Sequence, residues 1–196
     1  VSSGDIEWTS PWVLCAVVLL AASGIVDLAL RDRYAAGDGA RDRGTARLLI
    51  VSLNVNTLVL FALPVIGVAS FPAELAARWA PVGAALCAFG LGVRYAAIFR
   101  LGRLFTWRVT ILEGHRLHTS GLFQVVRHPS YAGGILAMIG AALAFGSWGA
   151  MLFFVCTHVP MVVQRIRVEE RVLASTFGDT WRSYAERTSR LVPFVW

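Results

Sequence analysis

Apolar residues gather in long, nearly uninterrupted runs at 11–30, 48–70, 81–99 and 131–163, and polar residues are swept into the segments between them. The first three runs are each one span long, because a helix needs roughly 20 mostly apolar residues to cross the hydrocarbon core. The fourth is longer than one span, and Gly146-Ser147-Trp148-Gly149 near its middle supplies a turn. We read it as a tight hairpin of two spans. Beyond Val163 charge returns in the pattern Gln164-Arg165-Ile166-Arg167-Val168-Glu169-Glu170-Arg171, as expected of a helix leaving a membrane. Phe177-Gly178 then predicts a helix end, and Trp181 and Tyr184 a further short interfacial helix. The expected fold class is an all-α integral membrane protein with about five transmembrane helices and a cytoplasmic C-terminal helical segment. Residues 1–100 form an N-terminal three-span region and residues 101–196 carry the hairpin and the C-terminal helices.

Composition supports this pattern. The chain is 57% hydrophobic and 15% charged, with a mean hydropathy of +0.64, which excludes an ordinary soluble domain. The net charge of +6 does not point to nucleic acid, because the arginines are segregated by loop. They crowd 31–47, 100–127 and 165–190, whereas 71–80 holds only Arg78 and Glu74. Five spans with the N-terminus outside place every arginine-rich segment in the cytoplasm, and four spans do not. Asp5 and Glu7 stand where a signal peptide would carry basic residues, so the first run is expected to be a mature helix. Cys15, Cys87 and Cys156 lie inside apolar runs without CxxC spacing, which indicates neither disulfides nor zinc.

A few polar residues break the apolar runs. Asn54 and Asn56 suit interhelical hydrogen bonds or a substrate contact, and Arg94 lies close enough to a span end to snorkel. The mixed charges of 31–47 read as a solvated loop without chemistry. The stretch Arg127-His128-Pro129-Ser130-Tyr131-Ala132-Gly133-Gly134 has more content. A residue before proline is driven out of the α region and proline suits the first helical turn, so His128 is expected to be extended and Pro129 to start the fourth span. The free amides of such a junction favour an anionic group, and the glycines admit a close neighbour or a flat ligand. His115 and His118 lack the cysteine or carboxylate partners of a metal site, so ligand binding is the better reading and no metal is expected. Arg165 and Glu169 share a helix face at i, i+4, either as a surface pair or as groups meeting the head of an amphipathic substrate.

Three blocks, in this order and spacing, resemble the isoprenylcysteine carboxyl methyltransferase family over residues 101–194. They are His115-Arg116-Leu117-His118-Thr119-Ser120-Gly121-Leu122-Phe123, then Arg127-His128-Pro129-Ser130-Tyr131-Ala132-Gly133, then Glu169-Glu170 with Leu173, Phe177-Gly178, Tyr184 and Arg190-Leu191-Val192-Pro193. The resemblance implies an S-adenosylmethionine-dependent methyltransferase of the cell (inner) membrane, with its site facing the cytoplasm. It implies a cofactor site of His115, Arg116, Leu117, His118, Phe123, His128, Pro129, Ser130, Tyr131 and Glu169, with Arg165 as the catalytic residue turned toward the acceptor. Lipophilic or lipidated substrates and membrane lipids are the expected partners, and nucleic acid is not.

Methyl transfer to a carboxylate needs no general base, since that group is ionised near neutral pH. Arg165 would orient it. An amine or thiol acceptor would need proton removal, for which His128 is the candidate. Two rival readings are an NADPH-dependent sterol-type reductase, which shares an Arg-His-Pro-x-Tyr junction, and a non-catalytic lipid-binding protein. Reductases commonly place an acid where this chain has Gly134, and Glu169-Glu170 fits the methyltransferase pattern better.

Overall fold

The computed structural model describes residues 9–33, 42, 44–106 and 117–196. The described chain is helical: α1 (Pro11–Arg33), α2 (Thr45–Val65), α3 (Ala73–Leu101), α4 (Pro129–Ala144) and α5 (Trp148–Ala185), with short 3-10 turns at Gly102–Leu104 and Gly121–Gln124. Four of these helices are long and apolar enough to cross a membrane. The hairpin expected over 131–163 forms as α4 and α5, turning at Gly146 with φ 65°. Ser147 caps α5 by accepting the Ala150 amide at 3.2 Å. The fourth expected span is nevertheless short: 16 residues make about 24 Å of helix against a hydrocarbon core of about 30 Å. Helix α4 is sheltered by protein instead, with Ala137, Met138, Ala141 and Ala142 all buried.

Its shelter is mostly α3. Gly83 and Gly90 on α3 face Gly140 and Gly133 on α4, both pairs seven residues apart, so two antiparallel helices meet backbone to backbone along one seam. A Cβ at Gly90 would fall 2.6 Å from the Gly133 carbonyl oxygen, which leaves no room for any larger residue. This contact fixes the start of α4 beside Arg94 of α3.

The ends of the bundle differ. At one end the 66–72 connection is tied to the hairpin turn, Phe71 N–H donating to the Gly146 carbonyl at 2.7 Å and Gly149 N–H to the Ala69 carbonyl at 2.9 Å. At the other end the C-terminal segment returns to the start of α4. Arg127 N–H donates to the Ser189 carbonyl at 2.8 Å and His128 N–H to the Arg190 carbonyl at 3.1 Å. Leu191 packs there against Val162 and Ile166. Gly178, at φ 51° and ψ −123°, breaks helical geometry where Phe177-Gly178 predicts a stop, and helix resumes at once through Trp181 and Tyr184.

Arg94 corrects the sequence reading. It does not snorkel but turns inward to Asp27 of α1 at 2.9 Å, and Tyr95 donates its hydroxyl to the same carboxylate at 3.1 Å. A charge held between spans is stabilised by an opposite charge close by. Asn56 links α2 to α5 through Thr157 at 3.0 Å, as interhelical bonding predicts, while Asn54 bonds only its own helix at the Ile50 carbonyl.

Candidate active site

The site is assembled at the end of the bundle where α4 begins. Pro129 occupies the first turn of α4, and His128 before it has φ −124° and ψ 58°, outside the α region as a pre-proline residue should be. That geometry sends the His128 ring toward α5, whose Glu169 and Glu170 lie beside it. Nδ1 is 3.5 Å from a Glu169 oxygen and Nε2 is 3.4 Å from a Glu170 oxygen. Burial alone would favour neutral imidazole, but the hydrogen bonds and charges of the two carboxylates outweigh it, and the His128 pKa is raised above its ordinary 6.5.

One helical turn into α4, the Tyr131 hydroxyl donates to Glu169 at 2.5 Å and accepts from Arg165 Nε at 3.2 Å. Arg165 Nε also meets Glu169 at 2.9 Å. The guanidinium is only 2% exposed, which rules out a surface ion pair. Its Nη1 reaches across to Asp42 and to Thr45 Oγ1 at 2.9 Å, at the start of α2. Asp42 lies in the segment that the sequence reads as a loop without chemistry, and this is a correction: its carboxylate is buried against the site. Glu170, on the other side of His128, is held by Arg127 at 2.9 Å and Arg190 at 2.8 Å. Arg127 also ties down the C-terminal segment by donating to the Ala185 carbonyl at 2.7 Å and to the Thr188 carbonyl.

His128, Tyr131, Arg165 and Glu169 are thus brought into one cluster, with buried Pro129 and half-buried Ser130 completing the turn beside it. Leu117 and His118 precede it on an extended segment, where His118 contacts Ser120 at 3.3 Å and packs edge-on against Phe123 at 5.2 Å. Phe123 is buried, and its carbonyl accepts the Tyr184 hydroxyl at 2.7 Å, so its contacts anchor the segment to the C-terminal helix. His115 and Arg116 lie outside the described residues. Among the described residues no group of three or more histidine, cysteine or acidic side chains could hold a metal.

Sequence reasoning missed Asp27, Asp42 and, in its role, Arg94. Arg94 lines a cavity of about 80 Å³ between the helices, together with Asp27, Tyr131, Gly134 and His158. Leu53, Leu91, Ile135, Met138 and Val162 give it apolar walls. Tyr131 therefore belongs both to the polar cluster and to a cavity inside the bundle. An ionisable residue within a span is by default a functional candidate, and that signal was available for Arg94.

The family profile falls on this part of the chain. The profile of the isoprenylcysteine carboxyl methyltransferase (ICMT) family matches residues 83–175, which include α3 from Gly83, α4 and the acidic pair of α5. Protein-S-isoprenylcysteine O-methyltransferase B of Arabidopsis thaliana is 33% identical over 115 residues, covering 58% of each chain. Methanethiol S-methyltransferase 1 of Bradyrhizobium diazoefficiens is 39% identical over 79 residues, 40% of this chain and 27% of that one. A solved eukaryotic intramembrane Ras methyltransferase, also ICMT, shares the fold with a TM-score of 0.54 at 23% identity, covering 76% of this chain and 51% of that one. The chain spans 58% of the length of the Arabidopsis relative. The region matched by the family profile carries both the His128 junction and the Glu169-Glu170 pair, and over that region the chain is similar to the isoprenylcysteine carboxyl methyltransferase family.

Proposed function

We propose that the protein is a membrane-embedded methyltransferase that uses S-adenosylmethionine to methylate a carboxylate on a lipophilic substrate, with its site facing the cytoplasm. The observation that carries this reading is the commitment of both His128 ring nitrogens to carboxylates, beside a buried arginine and an apolar-walled cavity. With each ring nitrogen of His128 facing a carboxylate, neither is turned to the proton of an acceptor, which disfavours chemistry that requires a base. A carboxylate acceptor requires none.

S-adenosylmethionine supplies a methyl group on a positively charged sulfur, together with an ammonium, a carboxylate and ribose hydroxyls. The donor set fits such a molecule: Glu169 offers acceptor oxygens to its cationic and hydroxyl groups, and the His128 ring beside it offers a nitrogen to its polar groups. Glu169, His128, Pro129, Ser130 and Tyr131 would hold it, with His118 and the segment before it on the approach. Arg165 and Tyr131 orient the acceptor at the boundary between the polar cluster and the cavity. Exclusion of water from the helix interior strengthens these interactions. Arg47 at the start of α2, Arg100 at the end of α3 and Arg127 before α4 lie at the helix ends nearest the cluster, which supports a cytoplasmic site.

The S-methyltransferase named among the relatives motivates a second acceptor class, a thiol. Titration calorimetry with S-adenosylmethionine and with NADPH tests the cofactor. The expected result is saturable binding of S-adenosylmethionine and none of NADPH; the reverse would return the sterol-type reductase reading.

A further inference from the structure

Arg165 is the residue proposed to meet the acceptor carboxylate, yet in the structure its guanidinium already faces two carboxylates, Asp42 and Glu169. Asp42 already takes Nη1 of that one cation and Glu169 its Nε, so a third carboxylate has to compete with them for the same guanidinium. One of the two must therefore yield. Glu169 is fastened to the site by three groups, Arg165, Tyr131 and His128. Asp42 is fastened differently. Its other carboxylate oxygen accepts the Ala46 amide at 3.0 Å, and its backbone carbonyl accepts the Thr45 hydroxyl at 2.8 Å and the Thr45 amide at 3.0 Å. These bonds belong to the first turn of α2, where backbone amides and the helix dipole stabilise negative charge without help from Arg165.

We propose that Asp42 is a specificity-determining residue that holds, at Arg165, the place an acceptor carboxylate takes, so that acceptor binds by exchange with Asp42. This rests on the carboxylate reading above. Asp42 keeps its bond to the Ala46 amide in the first turn of α2 when it gives up the guanidinium, so neither charge is stranded by the exchange. The exchange sets how strongly the site discriminates: a neutral head group leaves Asp42 in place, and a carboxylate gains only the difference between its own pairing with Arg165 and that of Asp42, so Asp42 holds the preference for an acid down.

The test is direct binding of N-acetyl-S-farnesylcysteine and of its methyl ester to the full chain in detergent, with S-adenosylhomocysteine present. In wild-type protein the acid should bind no more than about tenfold tighter than the ester, since one charge-assisted pairing replaces another. Asp42→Asn, which keeps an acceptor for the Ala46 amide but not the charge, should tighten the acid by about tenfold and leave the ester unchanged. Asp42→Glu should restore the wild-type ratio. A wild-type preference for the acid of about a hundredfold or more, or an Asp42→Asn protein that binds the acid no better, overturns the exchange. The wild-type comparison holds even where the variant does not fold. Wild-type protein that binds neither compound but binds S-adenosylhomocysteine instead refutes the prenylated carboxylate as acceptor, and the exchange falls with it.

Discussion

Two buried polar clusters join α5 to its neighbours, and they are built on different principles. The one within the bundle pairs neutral groups: Ser52 contacts His158 at 3.0 Å, and Asn56 contacts Thr157 at 3.0 Å. The one at the end of the bundle is made of charges: Arg127, Arg165 and Arg190 against Asp42, Glu169 and Glu170, with His128 between the last two. Neutral hydrogen bonds satisfy polar groups between helices at little cost and specify which faces meet. Buried ion pairs contribute little net stability, because desolvation offsets their attraction. On the proposed reading, the charge gathered at the end of the bundle serves chemistry rather than packing. On that reading the neutral cluster pairs helices and the charged one is the proposed reaction site.

The largest expected effect breaks the charged cluster. Arg165→Ala leaves Asp42 and Glu169 buried without their shared cation and should cost about 3–5 kcal/mol of stability, measured by thermal unfolding in detergent. Arg165→Lys should recover part of the stability but not full turnover, because lysine lacks the planar fork that matches a carboxylate. Next is Glu169→Gln, which keeps the shape and removes the charge. It should raise the S-adenosylmethionine dissociation constant by about tenfold or more, read by calorimetry. An unchanged constant would assign Glu169 to the acceptor side alone.

The pH dependence sharpens the same comparison. The folded-state pKa of His128 is raised above 6.5, so the stability contributed by its charged form is fully present below pH 6.5 and is lost as pH rises through the raised value. Unfolding temperature should therefore fall across that interval, and His128→Gln should flatten the profile. The smallest effect is expected in the neutral cluster. Ser52→Ala removes one buried hydrogen bond and should cost about 1 kcal/mol of stability, with S-adenosylmethionine affinity unchanged. A loss of affinity there would erase the division between the clusters.

Much of the fold was legible because apolar length and loop charge are local properties. Residues 11–30, 48–70 and the 131–163 hairpin correspond to α1, α2 and the α4–α5 pair. Helix α3 begins at Ala73, earlier than the apolar window at 81–99, because its first two turns hold the polar residues Glu74 and Arg78 and Pro81 continues the helix. The His128, Tyr131, Arg165 and Glu169 group was legible through ordered motifs on two segments. Asp42 and Asp27 were not. Asp42 meets Arg165 across 123 positions and Asp27 meets Arg94 across 67, and no periodicity in one sequence encodes a pairing over such distances. The seam of Gly83 and Gly90 against Gly140 and Gly133 was likewise hidden, since each glycine pair shows only its own sevenfold spacing until the helices are set side by side.

The central claim is methyl transfer to a carboxylate, and the most direct measurement is the chemistry of the product. Purified protein is incubated with S-adenosylmethionine labelled in its methyl group and with N-acetyl-S-farnesylcysteine, and the product is treated with base. The account predicts transfer of label to the acceptor in a form released by base as volatile methanol, the behaviour of a methyl ester. Label that enters a farnesylated or short-chain thiol in base-stable form, with none in the carboxylate, would contradict it.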